Sequence, residues 1–115
     1  MNLTRSRIKG LIYNKEIALS RLGGDSELYN ELQIVFLGEL SKLINSLLDS
    51  LATGDLSQIS DAAHTLKGAG DNLGAERLSS FCQLIEQNCR KGEPFQDVDD
   101  LKEVLSQIEA ELRQI

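Results

Sequence analysis

From Ser26 to Thr53 apolar side chains return every three or four positions, at Leu28, Leu32, Val35, Phe36, Leu40, Leu43, Leu47 and Leu51. That spacing is the inward stripe of one long amphipathic helix. Asp25 before it suits an N-cap and Gly54 after it a stop, so the helix spans 25–53. Asp55 caps a second helix over 55–73, with Gln58 placed to complete a capping box, and Leu56, Ile59, Ala63, Leu66, Gly70 and Leu73 share its inner face. The short Gly54-Asp55 link makes these two helices antiparallel neighbours. Leu78, Phe81, Cys82, Ile85 and Cys89 define a third over 75–91, closed by Gly92 and Pro94. The fourth, over 95–114, has Asp97, Asp99 and Asp100 at its start and a narrow seam of Leu101, Val104, Leu105, Ile108, Leu112 and Ile115. Upstream, Asn14 caps a short helix over 14–22 with Ile17, Ala18 and Leu22 inward, ended by Gly23-Gly24. Residues 1–12 carry Arg5, Arg7 and Lys9 among scattered apolar positions. They read as a frayed arm or a short helix laid on the bundle, with the basic residues solvated.

No Asn-Gly hairpin turn and no alternating run of β-branched residues calls for a sheet. The expected fold is all-α: an up-down-up-down antiparallel four-helix bundle with one or two short N-terminal helices. The seam of the last helix could also serve a coiled-coil dimer. It lasts about two heptads where such a dimer needs three or four, so packing into its own bundle is the better use.

At 115 residues the chain forms one domain, over 1–115, large enough to bury a core without metal or disulfide staples. With 41% hydrophobic and 26% charged residues it is too polar for a membrane span and too apolar for disorder. No apolar run approaches the ~18 residues a spanning helix needs, and no leader pattern opens the chain, which points to the cytoplasm; with the last seam packed into its own bundle, a monomer is expected. A net charge of -6 argues against nucleic acid as a partner. Cys82 and Cys89 would lie ~10 Å apart along one helix, too far for a disulfide. With a single histidine and no Cys-x-x-Cys there is no Cys/His metal site.

The single histidine, His64, falls off the apolar stripe and should face water with Ser57, Ser60, Asp61, Lys67, Gly68 and Asp71. Gly68 stands one turn later on the same face, although an interior helical glycine costs ~1 kcal/mol. Bare backbone there lets another molecule approach the ring, and Lys67 can set an ammonium beside whatever the ring carries. Gly70, on the inner side, would let a neighbouring helix pack closely. A histidine, with an ordinary pKa of ~6.5, is mostly neutral at cytoplasmic pH and keeps one lone pair for attack. The alternative is a solvated surface histidine with an ordinary lysine beside it. No phosphate-binding loop, no Gly-x-Gly-x-x-Gly and no carboxylate cluster for magnesium occurs, so the chain should not use ATP itself.

The stretch His64-Thr-Leu-Lys67-Gly68-Ala-Gly-Asp-Asn-Leu73-Gly74-Ala75 resembles the signature of histidine-containing phosphotransfer (HPt) domains, departing from it at Gly70, where the family has Ala or Ser. Flanking segments, Arg21-Leu-Gly-Gly-Asp25 upstream and Leu78 through Glu86 downstream, extend the likeness over about residues 14–92. The resemblance implies that His64 accepts a phosphoryl group from a receiver-domain aspartate and passes it to another receiver in a two-component phosphorelay. It implies that Lys67 neutralises the phosphoryl group and that Gly68 gives the receiver access. Glu86, or more weakly Gln83, would hold the far ring nitrogen, against a plain surface reading of either residue. It implies no cofactor of the chain's own, magnesium in the partner receiver, and response-regulator receivers or a hybrid sensor histidine kinase as partners. The alternative function is a receiver-binding or oligomerising helical adaptor of the same fold that transfers nothing.

Overall fold

The computed structural model describes residues 7–114. The described residues hold five helices and no strand: α1 (Lys15–Arg21), α2 (Ser26–Thr53), α3 (Leu56–Asp71), α4 (Glu76–Arg90) and α5 (Val98–Arg113). α3 packs against α2 and α4, and α5 closes the ring by contacting the same two helices. The four long helices form the expected antiparallel bundle, with α1 laid against α2. Arg5, in the basic arm, and Ile115, at the end of the last seam, lie outside the described residues.

Local chemistry sets the boundaries. Asn14, Asp25, Asp55 and Asp97 each accept a backbone N–H from the first turn of the helix they precede. Gly54, which ends α2, has φ +73°, the left-handed value glycine adopts without strain. The capping box expected at Asp55 is only half formed. Its carboxylate caps Ser57 and Gln58, but its own N–H donates to Thr53 Oγ1 instead of to Gln58.

The core agrees with the sequence stripes on α3 and α5 and departs from them at the start of α2. Leu101, Val104, Leu105, Ile108 and Leu112 are all buried in the bundle, so the seam of α5 is occupied by its own neighbours. On α2, Tyr29, Phe36, Leu40, Ile44, Leu47 and Leu51 are buried, whereas Leu28 and Val35, expected inward, are exposed; so is Ile17 on α1. Val35 lies on the flank of α2 that borders α3, and the helix is rolled so that Tyr29 and Ile44 are buried. The Tyr29 hydroxyl makes that choice favourable, because it donates to the carbonyl of Leu73 at 3.3 Å and so keeps a partner inside. Cys89, also expected inward, is half-buried.

Residues 7–14 are not a frayed start. Ile8 is buried, the N–H of Lys9 donates to Ser80 Oγ at 3.0 Å, and the N–H of Arg77 donates to the carbonyl of Leu11 at 3.1 Å. Glu76 accepts from the Leu11 N–H with one carboxylate oxygen and from Asn14 Nδ2 with the other, both at 3.0 Å. The Asn14 N–H reaches the carbonyl of Gly74 at 2.7 Å. Gly74 has φ +70°, and the backbone of Asn14 presses where any Cβ would stand. The arm is thus a strap over the loop that joins α3 to α4. Arg21 Nη1 adds a bond to the carbonyl of Asp71, and the Asp71 carboxylate accepts from Ser79. The strap, α1, α2 and α4 all hold the end of α3 and so fix where its outer face points.

Candidate functional site

Ile59, Ala63, Leu66 and Gly70 of α3 are buried, and His64, one residue past Ala63, is turned outward with 78% of its side chain exposed. Across from it, Glu86 of α4 is set among Cys82 and Ile85, with its side chain only 10% exposed. Its Oε2 lies 3.7 Å from His64 Nδ1 and 3.8 Å from the Arg90 guanidinium one turn on. At those separations the contacts are electrostatic rather than hydrogen bonds. The other oxygen, Oε1, is buried with no hydrogen-bond partner among the described residues.

That burial removes the surface reading of Glu86 left open by the sequence. An unsatisfied buried polar atom costs about 1–3 kcal/mol, and more for a charge, so a carboxylate kept under these conditions is a candidate for function rather than filling. Arg90 offsets part of the cost. Nothing in the sequence marked Arg90, because its role depends on the i,i+4 step from a residue whose burial was not visible.

Gln83, the weaker candidate for the ring, is exposed and borders a groove with Arg7, Lys9 and Ser80; among the described residues no hydrogen bond joins it to His64. The structure brings Glu86 to the imidazole and leaves Gln83 outside. Lys67, one turn from His64, is half-buried, and no ion pair among the described residues engages it. A Cβ added at Gly68 would meet nothing within 4 Å, so the turn beside the ring is open. At Gly70, by contrast, a Cβ would stand 3.1 Å from Leu78 Cδ2 and 3.4 Å from Ala75 Cβ, which accounts for glycine where α3 and α4 cross closely.

Cys82 lies beneath the site, fully buried. Burial first, then the negative charges of Glu86 and Asp71, push its thiol far above its ordinary pKa, with Lys67 partly offsetting them. It therefore stays a neutral, small apolar group. On the opposite flank of α3 an apolar groove of about 160 Å³ runs along α2, lined chiefly by Leu32, Val35, Phe36, Leu43, Ala69 and Leu73. The described residues hold no cluster of three or more His, Cys, Asp or Glu side chains that could bind a metal, and no helix among them is long and apolar enough to cross a membrane.

Chemically, the arrangement offers a solvent-facing imidazole with a carboxylate on the Nδ1 side and a cation one turn away. Such a ring keeps Nε2 free as a nucleophile while positive charge developing on it is compensated.

The Hpt domain family model matches residues 31–115. The chain is 28% identical over 95 residues to the signal transduction histidine-protein kinase BarA of Shigella flexneri, covering 82% of this chain and 10% of the kinase. It is 30% identical over 69 residues to histidine-containing phosphotransfer protein 2 of Arabidopsis thaliana, covering 57% of this chain and 44% of that protein. The crystal structure of histidine-containing phosphotransfer protein B (HptB) from Pseudomonas aeruginosa PAO1 superposes with a TM-score of 0.77 at 25% identity, over 92% of this chain and 91% of that one. The chain thus spans about a tenth of the kinase and less than half of the plant protein.

Proposed function

Because this chain belongs to the Hpt domain family, we infer that it is a phosphoryl carrier of a two-component phosphorelay, taking the group from one receiver domain and delivering it to another. His64 Nε2 attacks the phosphorus of a receiver's aspartyl phosphate in line, the bond to the aspartate oxygen breaks, and the carboxylate leaves with its electron pair. The reverse displacement, by the aspartate of a second receiver, regenerates the free imidazole. In both directions the protein's work is positioning and charge compensation rather than covalent assistance.

The observation that carries this reading is the exposed His64 ring beside an inward-held carboxylate, with open backbone at Gly68 one turn on. Glu86 holds the Nδ1 side and stabilises positive charge on the ring. Lys67 is free to turn its ammonium to the phosphoryl oxygens, and the groove along α2 and α3 offers apolar surface on which a folded partner can rest. Magnesium belongs to the receiver, and the carrier uses no cofactor and no ATP of its own. It acts as a cytoplasmic monomer, alone or as a domain working with a hybrid sensor kinase. The adaptor alternative loses its main support, since the α5 seam that would serve an oligomer is buried within the bundle.

The test is transfer of label from phosphorylated receivers to the parent and to His64→Gln. The parent should acquire acid-labile phosphate and the variant none, with unchanged helical content, because an exposed side chain moves stability by less than ~0.5 kcal/mol. Label on the Gln variant would remove His64 as acceptor.

A further inference from the structure

The strap that locks the α3–α4 loop also presents charge. Its Arg7 and Lys9 border a surface groove of about 390 Å³ with Ser80, Gln83, Leu84 and Gln87 of α4. Two cations and no carboxylate line this groove, on a chain whose net charge is -6. The side chains project from backbone that is held in place by the Lys9–Ser80 and Leu11–Glu76 bonds and by the burial of Ile8. An ordinary solvated arm would not be fixed in this way.

The groove is next to the site. Gln83 and Gln87 flank Glu86 on α4, and Glu86 is the residue that meets the His64 ring. Gln83 and Gln87 thus join the carboxylate at the ring to the groove that Arg7 and Lys9 border. The carboxylates on this side are already engaged: Glu76 by Leu11 and Asn14, Asp71 by Ser79, Glu86 by Arg90. Glu76 and Asp71 accept from neutral donors and keep their charge on the far side of Lys9, so the positive charge is confined to the groove that Arg7 and Lys9 border, which no carboxylate lines.

We propose that the groove of Arg7, Lys9, Ser80, Gln83 and Gln87 is a second docking element for the receiver, taking an acidic segment at the edge of the receiver's surface while His64 engages its phosphoaspartate. This rests on the carrier reading above. Charge complementarity selects the occupant: a carboxylate-bearing protein surface is attracted here, and its long-range attraction speeds encounter more than it strengthens the final complex. The Gln83 and Gln87 amides beside the two cations can supply hydrogen bonds that fix orientation, while the Ser80 hydroxyl stays engaged by the strap.

The experiment uses the full chain with the receiver domains of its own genome, each loaded with acetyl phosphate, at low (about 50 mM) and high (about 500 mM) salt. The double variant Arg7→Glu/Lys9→Glu should raise the receiver concentration for half-maximal transfer about tenfold or more at low salt, with the rate at saturation unchanged. That gap should shrink to about twofold at high salt, where rim charges are screened. Arg7→Gln/Lys9→Gln should fall between parent and reversal, and thermal melts of both should match the parent. Equal half-saturation in parent and reversal would overturn the proposal, as would a loss confined to the rate at saturation. A parent that sediments as a dimer at low salt and is returned to monomer by the reversal would assign the groove to a second copy instead. If the parent acquires no label from any receiver, yet phosphoramidate labels His64 directly, the carrier reading fails and takes the docking element with it.

Discussion

Gly68 and Gly70 are two residues apart and answer to opposite constraints. At Gly68 a methyl group has open space, so Gly68→Ala should raise stability by about 0.4–1 kcal/mol, through a less flexible unfolded chain. At Gly70 the same change presses on Leu78 in a closely packed crossing, and overpacking costs about 1–3 kcal/mol. Paired thermal melts should place Gly68→Ala above the parent and Gly70→Ala at or below it. Gly68→Gln should fold as well as the parent yet transfer more slowly, since displacing the reacting atoms by ~1 Å can cost a hundredfold in rate. Unchanged transfer in that variant would remove the access role. Glu86→Gln keeps the shape and removes the charge opposite the ring; its phosphohistidine should form at least about tenfold more slowly while the melting temperature moves little. The outward placement of His64 and the open turn at Gly68 were legible in the sequence because one polar residue off a stripe and one glycine out of place are local signals. The burial of Glu86 and the pairing of Arg90 with it were not, because both depend on how α4 is rolled against α3, which no single helix encodes.

At the level of elements, the helices announced themselves through periodicity and caps, and their observed ends differ from the expected ones by few residues. The roll of α2 over its first turns is not set by the stripe, since Leu28 and Val35 fit it as well as Tyr29 does and Tyr29 alone gains a hydroxyl bond, to the Leu73 carbonyl in the loop between α3 and α4. The strap was illegible for the same reason: its bonds join residues far apart in the chain. Glu76 is its latch. Its carboxyl pKa is lowered, first by the Leu11 N–H and then by Asn14, with a small opposing effect of burial. A carboxylate with a depressed folded pKa stabilises the fold above its unfolded value and loses that contribution as pH falls through the folded one. Glu76→Gln would face Asn14 with a donor instead of an acceptor. Its melting temperature should therefore lie below the parent's at neutral pH, and the gap should narrow as pH falls below the ordinary carboxylate value of about 4.3 and close only once pH has passed the lowered folded value. A gap of constant size down to pH 3 would show that the charge of Glu76 is not what holds the strap.

For the molecule as a whole, consecutive helices are spatial neighbours within a body of 42 × 25 × 23 Å, so most contacts are local in sequence. Such bundles fold in microseconds to milliseconds, and stopped-flow refolding should show a single phase within that range. The thiol under the site offers a way to time the reverse process. Only a thiolate attacks an alkylating reagent, and Cys82 is fully buried and kept neutral by its surroundings, whereas Cys89 is half-buried. In a mass-spectrometric pulse of iodoacetamide, Cys89 should be modified through small local openings and Cys82 only when the bundle comes apart. Strongly denaturing conditions should equalise the two rates. The residue that takes no part in the chemistry above it would then serve as an internal clock for global opening, read separately from any measurement of phosphate.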